Sequence, residues 1–175
     1  MKILYQHLKL LRPLNIITSG LAMIISSAIL DGFYDTRILM LTVAIVMLFT
    51  AAANALNDAM DYEIDLVNKP LRPIPLGAVT IKNSLIISFT LFSLGSVLCL
   101  QLSDSAIIIC VFIAMPMMIF YSISLKSKYF IGNIAVALIV GMSFLFSGAA
   151  YGNISLVWTP TLLAFSLTFV REMVK

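Results

Sequence analysis

The run Ile38-Leu-Met-Leu-Thr-Val-Ala-Ile-Val-Met-Leu-Phe-Thr-Ala-Ala-Ala-Asn54-Ala-Leu56 continues without a break into Asn57-Asp58-Ala-Met-Asp61-Tyr-Glu63-Ile-Asp65. Its first part is apolar over about the ~20 residues that a helix needs to cross a hydrocarbon core. Its second part gathers Asp58, Asp61, Glu63 and Asp65, from a total of 8 acidic residues in the chain. Charge beside lipid is expensive and calls for a reason. Lys69 and Arg72 follow at once, within Asn68-Lys-Pro-Leu-Arg-Pro-Ile-Pro-Leu-Gly77. Carboxylates next to cations at a membrane edge suggest a metal-bridged phosphate site.

The rest of the chain supports the membrane setting. Of its 175 residues 61% are hydrophobic and 11% charged, against about 25% charged in soluble domains. Mean hydropathy is +1.07. Apolar runs cover residues 14–30, 38–56, 84–102, 106–123, 130–150 and 156–170. They are apolar all round rather than along one stripe, as lipid-exposed helices are. Backbone groups in lipid must be satisfied internally, and no period-2 alternation argues for strands. The expectation is an all-α, polytopic bundle with six spans. The first run reads as a membrane helix rather than a cleaved signal peptide, because it is long and no small-x-small site ends it.

Loop charges set the expected orientation. Lys2, Lys9, Arg12, Lys69, Arg72, Lys82, Lys126, Lys128, Arg171 and Lys175 fall at the termini and in the even-numbered loops, and only Arg37 falls in the odd ones. The positive-inside rule then puts both termini and the acidic segment in the cytoplasm of a multi-pass cell-membrane protein. The net charge of +3 is dispersed and implies no nucleic-acid partner. Cys99 and Cys110 lie in apolar runs without a CxxC and imply neither disulfide nor metal site. The single His7 has no companion ligand. Pro116 is expected to kink the fourth span, and Thr159-Pro160 reads as a helix start. Ser143/Ser147 and Gly148/Gly152 have the spacing of helix-packing pairs.

Read as a helix continuing the second span, the acidic segment places Asn57, Asp61 and Asp65 at i, i+4 and i+8 on one face, with Asn54 and Asp58 flanking it. Like charges at that spacing repel, and a divalent cation removes the penalty. The donors are all hard oxygens, which points to Mg²⁺ rather than Zn²⁺. The prolines Pro70, Pro73 and Pro75 stop the helix and stiffen a turn that holds Lys69 and Arg72, an ammonium and a guanidinium suited to a diphosphate. The alternative is a solvated loop that serves only topology, but acidic residues contribute little to that rule. Lys126 and Lys128, in Tyr121-Ser-Ile-Ser-Leu-Lys-Ser-Lys128, are candidates for the same cavity or for topology alone. Arg12-Pro13-Leu-Asn15 puts Asn15 one turn into an apolar helix, where it is a candidate to face a polar cavity.

Asn57-Asp58-Ala-Met-Asp61-Tyr-Glu-Ile-Asp65 resembles the first aspartate-rich motif, N-D-x-x-D-x-x-x-D, of the UbiA superfamily of intramembrane prenyltransferases. Arg72-Pro-Ile-Pro-Leu-Gly77 is similar to the R-P-x-P-x-G that follows it. Tyr121-Ser122 through Lys126, with Gly132-Asn133, resembles the loop between the family's fourth and fifth helices. The resemblance runs along essentially the whole chain. It implies a nine-helix fold around a cavity, and Mg²⁺-dependent transfer of a prenyl group from its diphosphate to an acceptor. It also implies a metal set of Asn57, Asp61 and Asp65 with Asp58 supporting, and diphosphate contacts at Lys69, Arg72 and Lys126. The first motif and Asn68-Lys-Pro-Leu-Arg-Pro-Ile-Pro look most like the archaeal ether-lipid branch, whose members join geranylgeranyl to geranylgeranylglyceryl phosphate. That branch usually has Pro-Ser-Gly where this chain has Pro75-Leu76-Gly77. Quinone, haem and chlorophyll branches share the core motif.

Arg171-Glu172-Met173-Val174-Lys175 resembles the opening of the family's second motif, Arg-Glu-x-x-Lys-Asp-Ile-x-Asp. The resemblance therefore implies a single, incomplete prenyltransferase domain over residues 1–175, with six of nine helices and the first motif only. On that expectation the chain alone has little or no activity and pairs with a missing C-terminal part. Two other classes compete: a non-catalytic membrane remnant or subunit, and a transporter with intramembrane acids. A transporter would spread its acids through several spans, whereas here they gather at one membrane face.

Overall fold

A computed structural model describes residues 2–126 and 128–174, with side chains for 5–126, 128 and 130–174. Lys175, counted above among the inner-face charges, lies outside the described residues, as does the side chain of Lys2.

Every regular element among the described residues is helical. Helix α1 spans Lys2–Leu11 and α2 spans Pro13–Ile29. They meet at Arg12, a non-glycine residue in the left-handed region (φ 55°, ψ 74°), and diverge by 48°. Pro13 suits the first turn of α2, where its missing N–H has no intrahelical role. Helix α3, Thr36–Met60, starts where the Asp35 carboxylate accepts from the Ile38 N–H at 3.0 Å. Helix α4, Tyr62–Asn68, follows directly. Helix α5 is Ile81–Cys99, capped by the Thr80 hydroxyl, and α6 is Asp104–Leu125, capped by Ser103. Helices α7, Tyr129–Ala150, and α8, Trp158–Val174, complete the bundle.

Among the described residues, five helices are long and apolar enough to span a membrane by themselves, and a sixth is reached only if α1 and α2 count as one bent span. The first span differs from expectation for a simple reason. Pro13–Ile29 has 17 residues, about 26 Å of helix, a little short of a ~30 Å hydrocarbon core. The polypeptide is a multi-pass membrane protein, and its outward faces are apolar: Leu14, Met40, Phe89, Phe112 and Leu167 are all exposed.

Helix α3 is the central post, packed along α2 on one side and α5 on the other. Small and hydroxylated residues let α5 approach closely. The Ser84 hydroxyl donates to the Ala55 carbonyl at 2.8 Å and the Ser88 hydroxyl to that of Ala52 at 2.9 Å. Lacking a hydrophobic drive in lipid, helices associate through such packing and hydrogen bonds. Phe49 and Phe92 meet edge to face at 5.3 Å, over Met23, Ile45 and Phe146.

One expectation about local geometry is corrected. Gly152 does not form a packing stripe with Gly148. It lies past the end of α7 with φ +72°, and Gly148 instead faces the Ile154–Val157 turn. The close α7–α8 approach falls at Gly141, where a Cβ would stand 3.2 Å from the Thr161 carbonyl oxygen. Pro116, where a kink was expected, lies within α6. The helix runs through it and widens into π-helical turns at Ile108–Ala114 before it and Tyr121–Leu125 after it.

Candidate diphosphate site

The acidic segment is close to one continuous helix. Asp61 caps α3 and opens α4, yet the i→i+4 ladder persists: the Asp61 N–H reaches the Asn57 carbonyl at 2.9 Å, and the Asp65 N–H reaches that of Asp61 at 2.8 Å. Asp58, Asp61 and Asp65 are 3%, 8% and 3% exposed. Buried carboxylates require partners, and these come from far along the chain. Asp58 Oδ1 accepts from Arg12 Nη2 and, at 3.1 Å, from Arg72 Nη1. Asp65 Oδ2 accepts from the same Arg72 Nη1, which stands 4.0 Å from Asp61 Oδ2. Asp61 Oδ2 accepts from Lys126 Nζ.

The Pro-rich turn is a folded lid rather than a loose loop. Pro73 is fully buried, and Ile74 and Val79 pack on Leu10, Ala55 and Ala59. The Leu76 N–H donates to the Arg72 carbonyl at 2.9 Å, and Gly77 closes the turn with φ +73°. From outside, Lys9 Nζ donates to the Leu71 carbonyl at 2.9 Å. Lys126 arrives by another route. Its N–H bonds the Tyr121 carbonyl, an i→i+5 link that ends the second π turn and leaves the ammonium over Asp61.

Asp61, Asp65, Asn68, Lys69, Ser122 and Lys126 line a cavity of ≈ 380 Å³ at this end of the bundle. Beside it, Asn15, Asn54, Asn57 and Tyr121 line a second cavity of ≈ 240 Å³. A third, of ≈ 340 Å³, shares Asn15 and runs between α2, α3, α6, α7 and α8 past Thr18, Thr50, Phe144 and Arg171. The site residues expected from the sequence are thus mostly brought together. Arg72 is folded onto the carboxylates behind the first cavity rather than lining it. The exposed side chain of Lys128 makes no contact with the acidic cluster among the described residues. Asp58 is committed to two guanidinium groups. The site role of Arg12 was not read from the sequence. Its signal was a lone arginine directly before a proline at a membrane entry.

The donors present suit a hard cation. Asn57 Oδ1 is buried without a hydrogen-bond partner, the kind of orphaned acceptor that a ligand would satisfy. Asp61 and Asp65 each use only one oxygen in the pairs above. Among the described residues no group of three or more His, Cys, Asp or Glu side chains could by itself hold a metal. A site of one or two carboxylates completed by water and phosphate oxygens is what Mg²⁺ favours.

Comparison with known proteins agrees with the fold. The digeranylgeranylglyceryl phosphate synthase of Thermococcus gammatolerans is 38% identical over 165 residues, covering 94% of this chain and 59% of that protein. The enzyme of the same name from Methanosphaera stadtmanae is 33% identical, covering 97% and 61%. A solved structure of digeranylgeranylglyceryl phosphate synthase in membranes superposes with a TM-score of 0.85 at 32% identity, over 98% of this chain and 60% of that one. The chain therefore spans about three fifths of the length of the relatives it matches. The model of the UbiA prenyltransferase family matches residues 10–175, from the last turn of α1 through α8, and the chain belongs to that family.

Proposed function

We propose that this chain holds the prenyl diphosphate site of a membrane prenyltransferase. The group moved is geranylgeranyl, and the acceptor is geranylgeranylglyceryl phosphate in ether-lipid synthesis. The observation that carries this reading is the ≈ 380 Å³ cavity where Asp61, Asp65, Lys69 and Lys126 meet beside lipid. The relatives at 33% and 38% identity, both digeranylgeranylglyceryl phosphate synthases, support the choice of acceptor.

On this reading the C–O bond of the allylic diphosphate breaks and the bonding pair leaves with the diphosphate. Lys69, Lys126 and Arg72 stabilise that developing charge, which is where fixed cations accelerate a reaction most. Mg²⁺, held by Asn57, Asp61 and Asp65, supplies further positive charge to the departing oxygens when bound. The acceptor hydroxyl oxygen then bonds to the prenyl carbon and loses its proton to an oxygen of the departed diphosphate. The apolar parts of the cavity between α2, α3, α6, α7 and α8 suit a long isoprenoid tail, and they keep water from the carbocation. The excess of basic residues at this end supports a cytoplasmic orientation for the site.

The test is equilibrium binding of labelled geranylgeranyl diphosphate to the purified chain in lipid nanodiscs, with Mg²⁺ and with a chelator. Saturable binding that requires Mg²⁺ and disappears in Asp61→Ala is the expected result. Binding indifferent to both rejects the reading, and preference for a quinone-type or tetrapyrrole acceptor in a competition assay rejects the acceptor.

A further inference from the structure

Three buried carboxylates, Asp58, Asp61 and Asp65, face three cations, Arg12, Arg72 and Lys126. The cluster is balanced as it stands. A diphosphate needs cations, so Arg72 and Lys126 have to turn from carboxylate to phosphate oxygens as it arrives. For Asp61 and Asp65 a divalent cation offsets the loss. Asp58 is different: its Oδ1 is shared between Arg12 and Arg72. When Arg72 turns away, the buried Asp58 carboxylate is left unpaired unless another cation stays, and an unpaired buried carboxylate is strongly disfavoured. Arg12 is the cation that stays.

The backbone around Arg12 is built to hold it there. Arg12 adopts φ 55°, ψ 74°, a region that residues with a Cβ rarely occupy. Such outliers persist where the surroundings over-determine them, and they cluster at working sites. Here the Asn54 amide donates to the Leu11 carbonyl at 2.9 Å, and the Arg12 carbonyl accepts from the Asn15 N–H at 2.9 Å. Lys9 is tied to the Leu71 carbonyl at the same time. The break between α1 and α2 is thereby fastened to α3 and to the Arg72 turn. Arg12 does not line the cavity bounded by Asp61, Asp65 and Lys126, so it acts on the ligand through Asp58.

We propose that Arg12 is a positioning residue: it neutralises Asp58 and so releases Arg72 from that carboxylate to the diphosphate. This rests on the diphosphate reading of the site. Without Arg12, Asp58 competes with the ligand for Arg72. Without both Arg12 and the charge on Asp58, the competition vanishes.

The experiment is Mg²⁺-dependent binding of labelled geranylgeranyl diphosphate to the full chain in nanodiscs, with thermal unfolding followed in parallel. Arg12→Gln should weaken binding by about tenfold or more, and adding Asp58→Asn should return it to within about threefold of the unsubstituted chain. Arg12→Gly takes the left-handed backbone without strain, so it should keep the unfolding temperature and still lose affinity, and again recover with Asp58→Asn. A loss that persists in both double variants overturns the proposal, because Arg12 would then touch the ligand or merely hold the fold. No loss in Arg12→Gln also overturns it. Absence of Mg²⁺-dependent binding by the unsubstituted chain removes the diphosphate reading and this inference together. Binding without recovery removes this inference alone.

Discussion

Lys126 and Asp61 are 65 residues apart in sequence and joined by an ion pair at the membrane edge. The contact pins the end of α6 to the junction between α3 and α4. The pair also fixes where a phosphate would find an ammonium. Lys126→Ala leaves Asp61, 8% exposed, with only Arg72 nearby at 4.0 Å. Mg²⁺-dependent diphosphate affinity is expected to fall by about tenfold or more. Isothermal titration with geranylgeranyl diphosphate measures it, and an unchanged affinity would exclude Lys126 from the site.

Asn57 allows stability and binding to be separated. Its buried Oδ1 has no hydrogen-bond partner among the described residues. Replacing an unsatisfied polar group by an apolar one of similar shape is close to neutral or stabilising. Asn57→Leu is therefore expected to keep or raise the unfolding temperature in chelator. It should also abolish the rise in unfolding temperature that Mg²⁺ plus diphosphate gives the unsubstituted chain. A variant that still responds to Mg²⁺ would remove Asn57 from the ligand set.

Gly132 sits against the end of α6. A Cβ there would be 2.8 Å from the Leu125 carbonyl oxygen and 3.6 Å from Lys126 Cα. Backbone cannot yield as a flexible side chain can, so Gly132→Ala should cost about 1–3 kcal/mol. It should also weaken diphosphate binding by displacing Lys126. Denaturant unfolding in mild detergent together with the binding assay tests both effects, and Gly77→Ala, strained by its φ of +73° but with no atom within 4 Å of the new Cβ, gives a contrast.

At the opposite end Tyr151 provides a control. Its hydroxyl donates to the Gly32 carbonyl at 3.3 Å and stands 3.1 Å from Ser27 Oγ. Burial, foremost, and the Asp35 carboxylate push its ionisation above the usual value near 10, against the opposing pull of Ser27. The folded state thus holds the phenolic proton more tightly than the unfolded chain. The stability this contributes is complete below pH ~10 and is lost as pH rises through the raised folded value. Tyr151→Phe should flatten that alkaline decline in unfolding temperature and leave diphosphate binding unchanged. A decline of the same steepness in the variant would assign it to other groups.

The membrane bundle was legible from apolar run lengths, since lipid imposes helices on any such run. The one-faced acidic set was legible too, because i, i+4 and i+8 are properties of a single helix. What joins Asp58 to Arg12 and Asp61 to Lys126 was not. Those pairs depend on how separate helices pack, and no local pattern encodes a partner 46 or 65 residues away. The left-handed turn at Arg12 escaped for a related reason: tertiary contacts from Asn54 and Asp58 override the local preference against it. The Gly148/Gly152 pair misled because spacing alone does not say where a helix stops.

The wide turns of α6 have one last consequence. A π turn stores one residue more than an α turn, as the Tyr121 carbonyl to Lys126 N–H bond does. Deleting a single residue within Tyr121–Leu125 would let that turn relax to ordinary α geometry with little penalty in hydrogen bonding, so the span would still fold. A second deletion, with no surplus residue left to give up, would swing everything past it by about 100° around the helix axis. Lys126 would then no longer stand over Asp61. One residue of length variation in this stretch is therefore absorbed and a second is intolerable to the site, so α6 acts as a molecular ruler for a single ammonium group.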